Sequence, residues 1–186
     1  FMSTLRKKYE DKVVGELMQK FKFKSLMQVP RLKKIVVNCG VGDTTQNVKA
    51  IDFAVYMVSQ ISGQKPLVTK SKKAIANFKT RVGDPLGTCV TLRGEYMWEF
   101  LQKLINIALP RVKDFTGVSR TAFDKQGNYS LGLEEQIIFP EIEYDKIDSV
   151  RSLQVNFVTN TKEDDQALKM LELLGMPFAK EATGEK

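Results

Sequence analysis

Apolar residues recur with the period of an α-helix in four stretches of the chain. The first stretch, residues 3–22, has an apolar residue at every fourth position, and Ser3 is a suitable N-cap. The other three stretches are residues 47–61, 95–108 and 163–174. Gly63 suits the C-terminal end of the second helix, and Pro110 is expected to end the third. The pattern therefore predicts an N-terminal helix and three further helices.

Short runs rich in β-branched residues separate these helices and predict strands. They lie at residues 32–42, 65–70, 87–94 and 153–159, and a turn-rich hairpin signal lies at 123–132. The central order β-α-β-β-α is that of a split βαβ sheet. We predict an α+β fold: a mostly antiparallel sheet with helices packed on one face, a split βαβ-like core and an N-terminal helix. The other face of such a sheet stays open.

The length suits a single domain, which we place at residues 2–180, with a disordered polar tail at 181–186. No apolar run approaches the roughly 18 residues of a membrane span. The first ten residues lack the apolar segment of a secretory signal. We therefore expect a cytosolic protein, in which the apolar-flanked Cys39 and Cys89 stay reduced.

The balance of 29 basic against 22 acidic residues gives a net charge of +7, which favours a polyanionic partner. The chain contains no histidine. This removes the commonest general base, the Ser-His and Cys-His nucleophile pairs and every His-ligated metal. Composition thus weighs against an enzyme and predicts neither a metal site nor a cofactor.

Two motifs invite other functions. NCGVGD (38–43) follows a strand and precedes a helix, but Thr45 stands where a dinucleotide-binding loop needs its third glycine. It is read as a tight turn, or as a place where the backbone approaches an RNA phosphate closely. The second motif is an acidic patch: Glu134, Glu135, Glu141, Glu143, Asp145 and Asp148. Its loose spacing favours a solvated face, or one that meets a basic protein, over a Mg²⁺ site.

Residues 65–81 concentrate positive charge. They hold six cations and no acid: Lys65, Lys70, Lys72, Lys73, Lys79 and Arg81. A solvated loop is the plain interpretation, but Ile75 and Phe78 in the same loop suggest contact with an unstacked base or ribose. Thr91 and Arg93 are predicted to share the sheet face that points away from the core. These features favour RNA binding over the two alternatives, an RNA- or nucleotide-processing enzyme and a membrane-surface protein that uses the N-terminal helix.

Seven segments are long enough to carry a family resemblance. They are SLMQVPRLKKIVVNCGVGD, ISGQKPLVTKSKKAIANFK, VTLRGEYMWEFLQKLI, ALPRVKDFTGVS, FDKQGNYSLG, EQIIFPEIEYDKID and LLGMPF. In the same order, over about residues 3–180, they resemble the family of bacterial ribosomal large-subunit protein number five. The resemblance implies a structural, non-enzymatic protein of the cytoplasmic large ribosomal subunit, without a cofactor.

The resemblance also implies that the protein binds 5S rRNA and attaches it to the central protuberance. The other implied partners are large-subunit rRNA, P-site tRNA, small-subunit protein thirteen and neighbouring proteins of the protuberance. It implies no membrane partner. The rRNA-binding positions would be Asn38, Gly40, Val41, Gly42, Gln64, Thr69, Lys70, Thr91 and Arg93. The tRNA-contacting loop would comprise Lys72, Lys73, Ala74, Ile75, Ala76, Asn77, Phe78, Lys79 and Arg81. The intersubunit bridge would use Arg111, Val112, Lys113, Asp114, Phe115, Glu143, Tyr144 and Asp145.

The chain departs from the family pattern at several positions. The family usually has Met at Cys39, Arg at Tyr96 and Thr116, and Gly-Arg at Lys125 and Gln126. It usually has Gly at Asn77, and because Asn tolerates left-handed geometry better than most residues, we expect the turn to be kept.

Overall fold

The computed structural model describes residues 4–42, 49–143, 147 and 149–179. Its strands are β1 Leu32–Gly40, β2 Leu67–Lys70, β3 Pro85–Leu92, β4 Tyr129–Leu133 and β5 Leu153–Thr159. They form one sheet in the order β2-β3-β1-β5-β4, and every bonded pair is antiparallel. Since β3 lies between the mutually parallel β1 and β2, the predicted split βαβ core and mostly antiparallel sheet are confirmed.

The four predicted helical stretches are helical in the structure. The α-helices are α1 Thr4–Lys8, α2 Val14–Phe21, α3 Lys49–Ser62, α4 Gly94–Lys103 and α5 Asp164–Leu174. A π-helical turn, Tyr9–Val13, joins α1 to α2, so these three segments form the predicted N-terminal helix. Ser3 and residues 47–48 lie outside the described residues.

The prediction that Pro110 ends the third helix is wrong by one turn. After α4 the chain continues through a π-helical segment, Leu104–Ala108, and a 3₁₀ turn, Leu109–Arg111. Proline is tolerated in the first turn of a helical segment because the N–H that it lacks has no intrahelical partner there. The 3₁₀ turn therefore includes Pro110 and ends at Arg111, and the backbone of Val112 after it is extended.

The hydrophobic core lies on one face of the sheet. Alternate residues of β1 (Ile35, Val37 and Cys39) are buried, and the same alternation continues in β3, β4 and β5. Helices α3 and α4 cover this face, and the N-terminal helix packs against α4 and α5. The ring centroids of Tyr9 and Trp98 are 5.5 Å apart and join the N-terminal helix to α4. The prediction that helices pack on one face is thus confirmed.

The opposite face of the sheet, here called the open face, carries the other set of alternate residues. Along β1 these are Lys34, Val36 and Asn38, which are half-buried, and Gly40, which is exposed. None of the described helices that pack on the sheet does so through these residues. The candidate interface is built on this face.

Candidate nucleic-acid interface

The centre of the open face is polar but uncharged. Asn38 on β1 lies between Cys89 of β3 and Gln154 of β5 in the strand register. Thr91 lies opposite Val36, and Thr69 lies opposite Gly87 at the outer edge. Amide and hydroxyl groups on a two-residue repeat present donors and acceptors in a row, as a surface that reads RNA requires. The sheet therefore brings the predicted Asn38, Thr69 and Thr91 together.

Close backbone approach shapes the end of this face where β1 finishes. A Cβ built on Gly87 would lie 2.6 Å from the carbonyl oxygen of Cys39, so only glycine fits there. A Cβ on Gly40 or Gly42 would meet no heavy atom within 4 Å, so the surface above both glycines is open. The predicted contact residues Gly40 and Gly42 thus leave room for an approaching backbone.

Val41 is placed differently from its neighbours. Its side chain is buried, and its N–H donates to the carbonyl of Leu86 at 2.8 Å. Val41 therefore packs in the core and pins the end of β1 to β3. The glycine motif continues into residues 43–48, which lie outside the described residues, so the alternatives for its loop stay predictions.

Two cations lie side by side at the other end of the open face. The ladder of β1 and β3 ends at the pair Ile35–Leu92, and the backbone of Arg93 is still extended, so continuing the register by one residue sets Lys34 beside Arg93 on this face. Like charges directly opposite each other on adjacent strands repel, and a bound anion relieves that repulsion. The sequence analysis missed Lys34, although its two-residue spacing from Val36 and Asn38 is the signal that would have found it.

Gln64 and Lys70 lie at the margin of the interface. Gln64 is exposed just after α3, where its backbone N–H donates to Ser62 Oγ at 3.3 Å. Lys70 is exposed at the end of β2, where the chain enters the loop to β3. Both positions adjoin the same edge of the sheet as Thr69.

The loop between β2 and β3 is an ordered extension of that hairpin. Ser71 N–H donates to the carbonyl of Asp84 at 2.8 Å, and the backbones of Ile75 and Thr80 bond each other. A 3₁₀ turn, Ala76–Phe78, forms the tip and is followed by Lys79 with a left-handed φ of 53°. The turn is present although Asn77 stands where the family usually has Gly, and Asn77 is not among the described residues with positive φ. The bend is made two residues later.

The six cations of residues 65–81 are exposed, and no ion pair in the described part of the chain includes them. The carboxylate of Asp84 accepts a bond from the backbone N–H of Arg81, at 2.7 Å, without pairing the guanidinium. Phe78 is 72% exposed and Ile75 is 45% exposed. The loop thus combines unneutralised positive charge with apolar side chains at its tip, as a phosphate- and base-binding surface does.

The predicted bridge residues lie elsewhere, beyond the end of α4. Val112 and Phe115 are half-buried against the core, while Arg111, Lys113 and Asp114 are exposed. Glu143 is exposed, and Tyr144 and Asp145 lie outside the described residues.

The acidic patch is divided among separate contacts. Glu141 pairs with Lys103 at 2.7 Å, and Glu135 lies 3.9 Å from Lys113. Glu134 lines a cleft beside β4, and Asp148 lies outside the described residues. Within the described ranges, no cluster of three or more potential ligands could hold a metal ion.

Neither cysteine is prepared for nucleophilic chemistry. Burial raises the pKa of the Cys39 thiol, partly offset by the charge of Arg151, and burial also raises the pKa of Cys89. Burial likewise raises the pKa of Tyr9 and of Tyr129 to about 12. A thiol with a raised pKa is mostly protonated at neutral pH and reacts slowly.

None of the helices that the structure describes is both long and apolar enough to cross a membrane.

Family models match most of the chain in two parts. The family described as Ribosomal protein L5 matches residues 25–81, and the one described as ribosomal L5P family C-terminus matches residues 85–178.

Several bacterial proteins named large ribosomal subunit protein uL5 are similar to this chain over almost their full lengths. That of Thermoanaerobacter sp. (strain X514) is 57% identical over 179 residues, which cover 96% of this chain and 100% of the relative. That of Chloroflexus aurantiacus (strain ATCC 29366 / DSM 635 / J-10-fl) is 59% identical over 174 residues, 94% of this chain and 97% of the relative. That of Oceanobacillus iheyensis is 54% identical over 179 residues, 96% of this chain and 100% of the relative.

These relatives are structural proteins of a particle that is cytoplasmic in bacteria, which confirms the predicted location and the prediction that the chain is not an enzyme. The resemblance found in seven sequence segments is confirmed as well. The chain belongs to the uL5 family of structural proteins of the large ribosomal subunit.

Proposed function

We propose that this chain binds 5S rRNA through the open face of its sheet and attaches it to the central protuberance of the large subunit. One observation carries the proposal: a row of uncharged polar groups, including Asn38 and Thr91, lies between cations at both ends of the sheet. Lys34 and Arg93 stand at one end, and the basic loop follows β2 at the other. Cations supply salt-dependent attraction to phosphates, and the polar groups between them supply selectivity. Large-subunit rRNA and neighbouring proteins of the protuberance are the further expected partners.

We propose that the β2–β3 loop contacts P-site tRNA. Its hairpin hydrogen bonds hold the tip away from the body of the protein, so Lys72, Lys73 and Lys79 reach outward. Phe78 provides an aromatic face on which a base or ribose can stack. The cations of this loop have no ion-pair partner among the described residues, which fits binding to a polyanionic surface that is present only after assembly.

We further propose an intersubunit bridge with small-subunit protein thirteen. The segment 111–115 and the exposed Glu143 are the described positions that support this part of the proposal. The exposed acids suit a basic protein partner, since opposite potentials across an interface steer association.

Binding of the purified protein to 5S rRNA and to a scrambled RNA of equal length, over a salt series, tests the first proposal. We expect a clear preference for 5S rRNA at physiological salt. Replacing Thr91 by Glu places a negative charge in the centre of the open face and should weaken binding at least tenfold. Gln60→Glu is the control, because Gln60 is exposed on α3, the helix that covers the opposite, core face of the sheet. Equal, salt-labile binding to both RNAs would contradict specific recognition by this face.

Charge reversal tests the loop. Lys72→Glu, Lys73→Glu and Lys79→Glu together should reduce tRNA occupancy of the ribosomal P site while the domain remains folded. Reversal of three other exposed lysines, Lys7, Lys12 and Lys162, makes the same change in net charge as a control. If both triple variants lower occupancy equally, only net charge matters and the proposed loop contact is wrong.

A further inference from the structure

A cleft of about 430 Å³ lies between β4 and the segment 112–119. Its volume is within the range of roughly 300–1,000 Å³ for ligand-binding clefts. Val112, Phe115 and Ile138 line it and pack against the hydrophobic core, so its wall is held in place from behind. The cleft is thus a supported concave surface rather than a gap between mobile side chains.

One wall of the cleft is the edge of the sheet. β4 is the last strand of the described sheet: among the named strands it pairs with β5, and Phe123 bridges to Tyr129 at the start of its outer side. At its N-terminal half the outer side is covered, because Ser130 N–H donates to the carbonyl of Ala122 at 3.0 Å. In an antiparallel strand every second residue points its N–H and C=O to the same side. Gly132 is two residues after Ser130, so its N–H and C=O also point outward, away from β5.

The outward backbone groups of Gly132 have no hydrogen-bonding partner among the described residues. An uncovered strand edge is a template for a further strand, and proteins usually blunt it with lysine, proline or a covering loop. Here Gly132 has no side chain, and its neighbours Leu131 and Leu133 turn their side chains into the core. The edge is therefore accessible along the cleft.

Charge indicates what the cleft accepts. Asp114, Glu134 and Glu135 line it, against a single cation, Lys113, whose Nζ lies 3.9 Å from Glu135. This negative rim stands out on a chain of net charge +7. It repels RNA phosphates and attracts a cationic chain.

We propose that an extended, basic segment of a partner protein adds to β4 as a sixth strand. Its backbone would pair with the N–H and C=O of Gly132, its apolar side chains would face Val112 and Phe115, and its cations would face Glu134 and Glu135. Main-chain bonds provide affinity in this mode of recognition, and alternate side chains provide specificity. The cleft shares Val112, Lys113, Asp114 and Phe115 with the proposed bridge surface. The inference does not require that the partner be small-subunit protein thirteen.

A labelled eight-residue peptide of alternating valine and lysine is a suitable probe, with a valine–glutamate peptide as its counterpart. Fluorescence anisotropy should show at least tenfold tighter binding of the lysine peptide. Gly132→Pro removes the outward N–H, and edge positions of this kind tolerate proline; it should weaken binding at least tenfold. Gly132→Ala is the matched control and should bind within twofold of the original chain, because its Cβ meets no heavy atom within 4 Å.

Amide spectra of the ¹⁵N-labelled original chain provide a readout that does not depend on whether the proline variant folds. The Gly132 amide should exchange rapidly with solvent in the free protein and become protected when the lysine peptide is added. Protection of Gly132 before addition, or shifts confined to the open face, would overturn the inference. If the lysine peptide binds at Gly132 but small-subunit protein thirteen does not bind the chain, the result contradicts the proposed bridge and not this inference.

Discussion

The turn that precedes β4 contains Lys125, one of the four described non-glycine residues with positive φ. Asp124 accepts bonds from the N–H groups of Gln126 and Asn128 and from Asn128 Nδ2, and these bonds hold the pKa of its carboxyl below the usual range. Gly127 has a φ of 75° and would bring a Cβ within 2.5 Å of the carbonyl oxygen of Thr161. Lys125 has a φ of 62°, in the left-handed region that favours glycine.

Replacing Lys125 by glycine should therefore stabilise the protein. A non-glycine residue in the left-handed region costs about 1–2 kcal/mol, which glycine would regain. Glycine also increases the entropy of the unfolded chain, which offsets about 0.4–1 kcal/mol of this gain in stability. We expect the free energy of unfolding, measured with urea, to rise by about 0.5–1 kcal/mol.

Gln126→Gly is the control for this change, because Gln126 is not among the described residues with positive φ. It should lower the free energy of unfolding, since glycine there only increases the entropy of the unfolded chain. Stabilisation by both substitutions would show that relief of strain at Lys125 is not the cause.

At the scale of elements, the sheet separates the two cysteines onto its two faces. Cys39 faces the core and is fully buried, while Cys89 lies on the open face beside Asn38 and is partly exposed. Chemical modification of Cys89 can therefore report whether the open face is covered.

We expect iodoacetamide to modify Cys89 well before Cys39 in the free protein at pH 8. Burial raises both thiol pKa values, so the thiolate fractions, and the rates, should increase as the pH rises further. Bound 5S rRNA should slow the modification of Cys89 at least fivefold, as measured by mass spectrometry of tryptic peptides. A scrambled RNA is the control, and an unchanged rate at saturating 5S rRNA would argue that RNA binds elsewhere.

At the scale of the whole molecule, the N-terminal helix shares its core with the sheet domain. Leu17 is fully buried, and α2 packs against α5 at the far end of the sequence. Buried side chains from Leu5 to Met176 form one hydrophobic cluster. One shared cluster is what a single domain requires, so the prediction of one domain over residues 2–180 remains our proposal, and unfolding tests it.

Leu17→Ala should lower the free energy of unfolding by about 2–5 kcal/mol, because it leaves a cavity in that shared core. Fluorescence of Trp98, which contacts Tyr9 of the N-terminal helix, and far-UV circular dichroism should report one coincident transition. Gln19→Ala, at an exposed position of the same helix, should change stability by less than about 0.5 kcal/mol. Separate transitions for the two signals would divide the chain into two units.

The order and type of the elements were predictable because the local pattern is strong. The four helical periods and the β-branched runs need only a few neighbouring residues to be recognised, and β5 and α5 were predicted to within one residue. Lys65 to Arg81 likewise showed its charge imbalance without any structure. Boundaries that depend on distant partners were harder: β3 begins at Pro85 because its pairing with β2 extends to Lys70.

The sequence by itself determined the fold class, the basic loop, the family and the alternation that separates a core face from an open face. Only the tertiary structure decided which side chains share that open face, because strand register joins residues far apart in the chain. It brought Lys34 and Arg93 to the same end of the open face, buried Val41 between its exposed neighbours, and left the backbone of Gly132 uncovered beside an acidic cleft. Periodicity is a local property of the chain, whereas an edge, a cleft and a pair of like charges exist only once the strands have been ordered in a sheet.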